Sequence, residues 1–288
     1  IPVKINNEIG LQITNYNQYE QFKKESAKPL TGSYAIKNDA PPPSLSTAIA
    51  PTENNPITIH IEEGMYSPSS NGEPFPTRMI SNVNLIGAGE ELTSLNAEYT
   101  SRVIIMENCN NNIISNFMIE GGIPPGIFSD NSGGGITAIS SNPTISNVTF
   151  SGNIAISGAG LNLYESNATL NNVIISGNIA HLSGGGVSII SSSPTFNDVV
   201  ITGNITTVGR GGGMYIDNSN PILNQVTVSG NTAVDWGGGI VLYNSNPTLT
   251  NVTIWNNATG LNGGGLGLIN SNPTLTNVTV SNNASDFN

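Results

Sequence analysis

The chain has 288 residues and a formal net charge of −11, with 9% charged and 37% hydrophobic side chains. This acidic balance argues against a nucleic-acid partner, because phosphate binding needs clustered Lys and Arg. The single cysteine, Cys109, excludes an intrachain disulfide, and no apolar run is long enough to cross a membrane.

Residues 1–43 form a segment without repeats that holds five of the eight basic residues. The alternation of Ile9, Leu11 and Ile13 favours a strand within it. We interpret the segment as a cap, a linker or an assembly arm. Directly after it, residues 44–51 predict a short capping helix that ends at Pro51 and covers the open end of the first coil.

Residues 44–288 predict one β-helix domain, whose first coils, 56–132, are irregular. Residues 82–87 and 116–121 match the register of the later repeats, and residues 57–66 indicate an earlier coil. The apolar runs have two to four residues with period two, which is typical of short strands. Cys109 is interpreted as a small buried thiol of this region.

Regular repeats occupy residues 133–288. The glycine clusters begin at Gly133, Gly158, Gly184, Gly211, Gly237 and Gly263, in steps of 25 to 27 residues. A period of about 26 residues with three short apolar runs predicts a solenoid with three short strands per coil, stacked in parallel. Glycine clusters and Asn-Pro pairs supply its corners.

Two kinds of column follow from this register. Side chains at alternate positions of the first strand, such as Ile136, Leu161 and Ile240, should point inward and form the core. One asparagine recurs at a turn in every coil and predicts an internal amide ladder. Its members are Asn153, Asn178, Asn204, Asn231, Asn257 and Asn283.

The repeats resemble two groups of proteins. Gly-Gly-Gly-apolar with Phe150-Ser-Gly-Asn153 is similar to the repeats of the polymorphic outer-membrane protein family. Residues 271–280, 58–66 and 83–89 resemble secreted proteins of the pectin-lyase-like superfamily. The resemblance covers residues 44–288 and implies an all-β, right-handed parallel β-helix. It implies little about activity, because this fold hosts lyases, hydrolases, adhesins and structural proteins.

No catalytic or metal site is predicted, and no cofactor. Polysaccharide hydrolases of this shape need converging carboxylates, and lyases need carboxylates for calcium with a basic residue. From residue 133 onward the acids are Glu165, Asp198, Asp217, Asp235 and Asp286, and only Glu165 and Asp217 lie close to the outer face of the first strand. His181 and Arg210 occupy successive loops before glycine clusters, and we interpret them as surface neighbours.

The outward face of the first strand predicts an apolar, tyrosine-bearing contact stripe. Its residues are Ile139, Tyr164, Tyr215, Asp217, Tyr243 and Ile269. Such a stripe suits stacking on sugar rings or packing against another rod, although ordinary β-propensity also explains it. Four Asn-x-Ser/Thr triplets outside the amide ladder are candidate glycosylation sites, namely Asn147, Asn167, Asn251 and Asn277.

The sequence therefore predicts an extracellular or cell-surface rod with a structural or adhesive role. Its expected partners are other copies of itself or extracellular glycans, without a membrane-spanning segment. The last repeat has no covering element, so we expect end-to-end assembly into filaments, with residues 1–40 donating strands, or a continuing chain. The alternative is an enzyme of the pectin-lyase-like fold that binds or degrades polysaccharide.

Overall fold

The computed structural model describes residues 51–125 and 131–286, together with the backbone of two strands in the N-terminal segment. Over these ranges the chain is all β and forms a parallel β-solenoid of about nine turns with about 26 residues per coil. This confirms the predicted fold class. The predicted capping helix, residues 44–51, falls outside the described residues except for Pro51.

The strands of the N-terminal segment and of the irregular coils are short, and most have five residues or fewer. In chain order they are β1 (Gly10–Ile13), β2 (Gly32–Ile36), β3 (Ile57–Ile61), β4 (Gly64–Tyr66), β5 (Thr77–Arg78), β6 (Val83–Gly87), β7 (Thr93–Asn96), β8 (Ile104–Glu107) and β9 (Ile113–Glu120).

The regular coils repeat a strand of four residues, a longer strand and a strand of two to five residues, and in the last two coils the longer strand is divided into two strands of three residues. In chain order they are β10 (Ile136–Ile139), β11 (Thr144–Ser151), β12 (Ile154–Ser157), β13 (Leu161–Tyr164), β14 (Thr169–Ser176), β15 (Ile179–Ser183), β16 (Val187–Ile190), β17 (Thr195–Thr202), β18 (Ile205–Thr206), β19 (Met214–Asp217), β20 (Ile222–Ser229), β21 (Thr232–Ala233), β22 (Ile240–Tyr243), β23 (Thr248–Thr250), β24 (Thr253–Trp255), β25 (Ala258–Thr259), β26 (Leu266–Ile269), β27 (Thr274–Thr276), β28 (Thr279–Ser281) and β29 (Ala284–Ser285).

Three parallel sheets run along the axis of the solenoid within the described residues. Sheet 1, which follows the glycine clusters, has eight strands in the order β5-β8-β10-β13-β16-β19-β22-β26. Sheet 2 has fifteen strands, of which β1-β2-β3-β6-β9-β11-β14-β17-β20-β23-β27 form the main path. Sheet 3 has six strands, β12-β15-β18-β21-β25-β29. Strand pairs in such sheets lie about 4.8 Å apart.

A kink divides each long strand of sheet 2 where one residue adopts a left-handed backbone. At Asn147 and Asn172 the φ angles are +53° and +52°, and the residue types at this column tolerate that conformation better than branched side chains do. The column is exposed, and Asn172 Nδ2 donates to Asn147 Oδ1 over 2.9 Å. A second column of polar side chains, with hydrogen bonds between some of its neighbours, therefore follows the outside of the rod.

The inward columns of sheet 1 form the core. Ile136, Leu161, Val187 and Ile240 have no exposed surface, and each buried side chain of this size contributes about 1.5 to 3 kcal/mol. Leu268 occupies the corresponding inward position of β26 but is 47% exposed, because β26 is the edge strand of the sheet.

The N-terminal segment extends sheet 2. β2 pairs in parallel with β3 through Gly32–Ile57 to Ile36–Ile61, and β1 pairs with β2. These two strands therefore bond to their own chain, which counts against their donation to a neighbouring copy. The domain boundary at residue 43 stays a prediction.

Candidate functional site

The six residues predicted as a contact stripe all lie on the outward side of sheet 1. Five share one column, in which Ile139, Tyr164, Asp217, Tyr243 and Ile269 stack together with Ile190. Tyr215 belongs to the neighbouring column, beside Ser188 and Val241. Tyr164 is the exposed member at 41%, and the other stripe residues are half-buried.

Glycine loops cover the neighbouring column. A Cβ added to Gly158 would lie 2.9 Å from the Cβ of Ser188, and one added to Gly237 would lie 2.2 Å from a methyl group of Val241. Both glycines have positive φ angles, +57° and +61°, so they also permit a backbone that other residues rarely adopt. Ser188 and Val241 are consequently fully buried. The loops thus form a wall beside the accessible column.

A groove with a volume of about 570 Å³ lies on this face near the N-terminal end of sheet 1. Ile105, Ile139, Tyr164 and Ile190 line it with apolar surface. Thr137 and Asn162 also line it, but they are almost completely buried, and the Asn162 amide donates to Thr137 Oγ1 over 3.0 Å. The groove therefore combines an apolar floor with one exposed aromatic ring.

Charged side chains border the same groove. Arg78 Nη1 lies 3.3 Å from Glu107 Oε2, and both side chains are more than half exposed. Arg102 Nη2 donates to the Ser132 carbonyl over 3.4 Å. Strand pairing places Arg78 beside Ile105, and Glu107 beside Ile139. Two of the chain's eight basic residues therefore meet the predicted stripe.

Sequence reasoning missed Arg78, Arg102 and Glu107 as site residues. They precede the regular repeats, so the 26-residue period does not place them on a column. The signal that was available is their rarity: Arg78, Arg102 and Arg210 are the only basic residues between residues 51 and 288.

A second polar cluster lies farther along the same face. Asp217 and Tyr243 are register partners on β19 and β22, and Tyr215 makes a side-chain hydrogen bond to Asp217. Burial raises the pKa of Tyr215, and the charge of Asp217 raises it further. Burial also raises the pKa of Asp217, while its bonds to Tyr215 and Asn218 lower it. Tyr215 is thus a protonated donor at neutral pH.

Arg210 lies close to this cluster, and its backbone N–H donates to the carbonyl of Leu182, the residue after His181, over 2.9 Å. Its Nε donates to Asp235 Oδ2 over 2.9 Å, and its guanidinium lies 5.8 Å from the centroid of the Trp236 ring. His181 Nδ1 lies 3.2 Å from Thr207 Oγ1. The adjacent loops therefore pair Arg210 with the coil that follows it.

The predicted asparagine ladder is buried from Asn153 to Asn257, and Asn283 is half-buried at the end. Asn178 Nδ2 donates to Asn204 Oδ1 over 2.9 Å, and Asn204 Nδ2 donates to Asn231 Oδ1 over 2.9 Å. Each amide also bonds to backbone groups of neighbouring coils. The ladder satisfies the backbone hydrogen-bonding groups of buried turns. Because its side chains are buried, a ligand cannot reach them.

A serine ladder was not foreseen. Its members Ser141, Ser166, Ser192, Ser219, Ser245 and Ser271 each accept, on Oγ, a hydrogen bond from the backbone N–H of the preceding coil, and within the series the bonds measure 2.8 to 3.0 Å. Cys109 begins this column, since its N–H donates to Ser141 Oγ over 2.9 Å. The thiol lies 3.1 Å from the Met79 carbonyl, and burial raises its pKa. The recurrent Ser at 25- to 27-residue steps was a readable signal.

The four candidate glycosylation sites are all exposed. Asn147, Asn251 and Asn277 lie in the outer polar column of sheet 2, where Asn277 Nδ2 donates to Asn251 Oδ1 over 2.6 Å. Asn167 lies at a corner, and its Oδ1 accepts the Ser193 N–H over 2.6 Å. Their modification stays a prediction.

The described residues contain no group of three His, Cys, Asp or Glu side chains able to hold a metal ion. In the same ranges, no helix has the length and apolar character that a membrane span requires.

Residues 159–286 match the family model described as the right handed beta helix region. No curated protein matches the sequence. The similar solved structures include two A-modules of mannuronan C-5 epimerases from Azotobacter vinelandii, and each of these matches covers 79% of this chain and 90% of the other. AlgE4 shares 12% identity with a TM-score of 0.32, and AlgE6 shares 14% with 0.18. Similarity this low carries no argument about activity.

Proposed function

We propose that this chain is an extracellular β-helix rod that binds a glycan along the outward face of sheet 1, in an adhesive or structural role. The observation that carries the proposal is the groove of about 570 Å³ around the exposed ring of Tyr164. A rigid parallel sheet holds this ring in place, and binding sites on regular elements are better ordered than sites on loops.

The lining suits a sugar ring better than a purely apolar ligand. Tyr164 offers an aromatic face, with Ile139 and Ile190 on the neighbouring strands of the same column. Arg78 and Glu107 offer donors and acceptors for hydroxyl groups. Their ion pair is solvent-exposed, and such pairs stabilise a fold by about 0 to 1 kcal/mol, so a ligand can replace it at low cost.

The geometry favours binding over catalysis at this groove. Glu107 is the one carboxylate among the residues that line the groove, and it pairs with Arg78. Glycoside hydrolysis ordinarily uses two carboxylates. The alternative, a polysaccharide-degrading enzyme, is distinguished by its products.

Binding to soluble xylan, laminarin, polygalacturonate and alginate, measured by calorimetry, tests the proposal. Tyr164→Ile introduces the residue that Ile139 and Ile190 already place in this column, so the fold should persist while affinity falls about tenfold. Arg78→Ala should weaken binding as well. Trp255→Ser is the control, because serine occupies the corresponding positions of both neighbouring coils on sheet 2.

Equal affinities for wild type, Tyr164→Ile and Arg78→Ala would refute a site in the groove, and so would binding to none of the four polymers. Release of shortened or unsaturated products during the titration would favour the enzyme.

A further inference from the structure

We propose that Tyr215, Asp217, Tyr243 and Trp236 form a second saccharide site on sheet 1, which binds the vicinal hydroxyl groups of a neutral sugar and acts together with the groove around Tyr164. The inference rests on the proposed glycan-binding function. It adds to that function the location of a second site, the ligand class of neutral sugars and binding of one ligand at both sites.

The floor of the second site consists of three outward side chains on two neighbouring strands. Tyr215 and Asp217 are two residues apart on β19, so both point to the same side of the sheet. Tyr243 stands beside Asp217 on β22. All three are half-buried, which leaves part of each side chain accessible to a ligand.

The wall of the site comes from the glycine loops. A Cβ added to Gly211 would lie 3.1 Å from the Tyr215 backbone nitrogen, and one added to Gly237 would overlap Val241. Arg210 and Trp236 come directly before these glycines, and the Arg210 guanidinium lies 5.8 Å from the centroid of the Trp236 ring. The charge of Arg210 acts on Tyr215, as expected for groups that lie close together.

The chemistry of the cluster matches a neutral sugar. A carboxylate accepts hydrogen bonds from two adjacent hydroxyls, and aromatic rings pack on the apolar face of a pyranose. The Arg210 guanidinium is already paired with Asp235, so it adds no uncompensated positive charge for an acidic sugar. The carboxylate of Asp217 would repel such a sugar.

The separation of the two sites suits one polymer chain lying along the rod. Tyr164 and Tyr243 are three strands apart, on β13 and β22, which corresponds to about 14 Å along the axis. When one ligand spans two sites, the second contact forms at high effective concentration, so affinity rises without any new contact. A short oligosaccharide cannot span the two sites, so its affinity does not rise in this way.

Calorimetry with xylobiose and xylohexaose tests the inference. Xylobiose should bind wild type at two sites per chain, and xylohexaose should bind at least tenfold more tightly at one per chain. Asp217→Asn and Tyr243→Ile should each reduce the xylobiose stoichiometry to one and remove the gain for xylohexaose. Isoleucine stands at the Tyr243 position in three other coils, so this variant should fold.

The outcomes separate the two proposals. A single xylobiose site that Tyr164→Ile abolishes and Asp217→Asn leaves unchanged would overturn the second site and preserve the groove. Absence of binding by any xylo- or galacturono-oligosaccharide would overturn the second site, whereas the groove would be overturned if none of the four polymers binds. Tighter binding of hexagalacturonate than of xylohexaose at the Asp217 site would refute its assignment to a neutral sugar.

Discussion

Replacing the buried Asn204 by alanine should lower the free energy of unfolding by more than replacing an exposed asparagine of the rod. Asn204 is fully buried, its Nδ2 donates to the Ile175 carbonyl and to Asn231 Oδ1, each over 2.9 Å, and its Oδ1 accepts the Asn178 N–H over 3.0 Å. Alanine leaves the Asn178 N–H without its acceptor, and a buried unsatisfied group costs about 1 to 3 kcal/mol.

The total loss of stability depends on which hydrogen bonds the neighbouring groups keep in the variant. Asn231 Oδ1 still accepts the backbone N–H of residue 204, and Asn178 Nδ2 still donates to the Phe150 carbonyl. The uncompensated losses are therefore the Asn178 N–H, the bond to Ile175 and the volume of the amide. We expect the free energy of unfolding to fall by about 3 to 5 kcal/mol. Urea denaturation followed by circular dichroism measures it.

Asn172→Gly is the matched control. Asn172 is exposed with a φ of +52°, a conformation that glycine adopts without strain. The variant loses one solvent-accessible hydrogen bond, from Asn172 Nδ2 to Asn147 Oδ1. Its unfolding free energy should change by about 1 kcal/mol or less. Equal destabilisation by Asn204→Ala and Asn172→Gly would refute the reasoning that burial of the ladder makes it stabilising.

Three further changes test other parts of the fold. Ile240→Asp should prevent folding, judged by loss of the β-rich circular dichroism spectrum, because a buried unpaired charge costs several kcal/mol. Cys109→Ser should change the unfolding free energy by about 1 kcal/mol or less, because serine occupies this column in the following coils. Glu73→Gln should increase stability at pH 8.5 by about 2 kcal/mol and leave stability at pH 4 nearly unchanged, as measured by urea denaturation.

The sign for Glu73 follows from its raised pKa. Burial raises the pKa of Glu73 from 4.5 to about 8, so the folded chain keeps a proton that the unfolded chain loses between these values. The stabilisation that this proton gives the folded chain is fully present below pH 4.5, and it is lost as the pH rises from 4.5 towards 8. Each pKa unit corresponds to about 1.4 kcal/mol, reduced here because the side chain keeps some solvent contact.

Each of these predictions has an outcome that contradicts it. A folded Ile240→Asp variant would show that the column is not closely packed. A loss of several kcal/mol in Cys109→Ser would show that the thiol has a packing role that the hydroxyl cannot replace. Identical pH profiles for wild type and Glu73→Gln would show that Glu73 titrates normally in the folded chain.

Much of the candidate site depends on the coils that are least regular in sequence. The stripe from Ile139 to Ile269 could be read from the 26-residue period, because alternate residues of a strand share a face. Arg78 and Glu107 could not, because their separation from Ile139 along the chain follows no repeat. Strand pairing alone brings them to the ring of Tyr164.

The sequence by itself determined the parallel coils, the inward apolar columns and the buried asparagine column, because each is a local pattern repeated at one period. Only the tertiary structure decided which outward residues a ligand can reach. Thr137 and Ser188 point outward like Tyr164, yet both are buried. The reason is physical: glycines without side chains let their loops lie against one column of the sheet, and the remaining column becomes the floor of a groove.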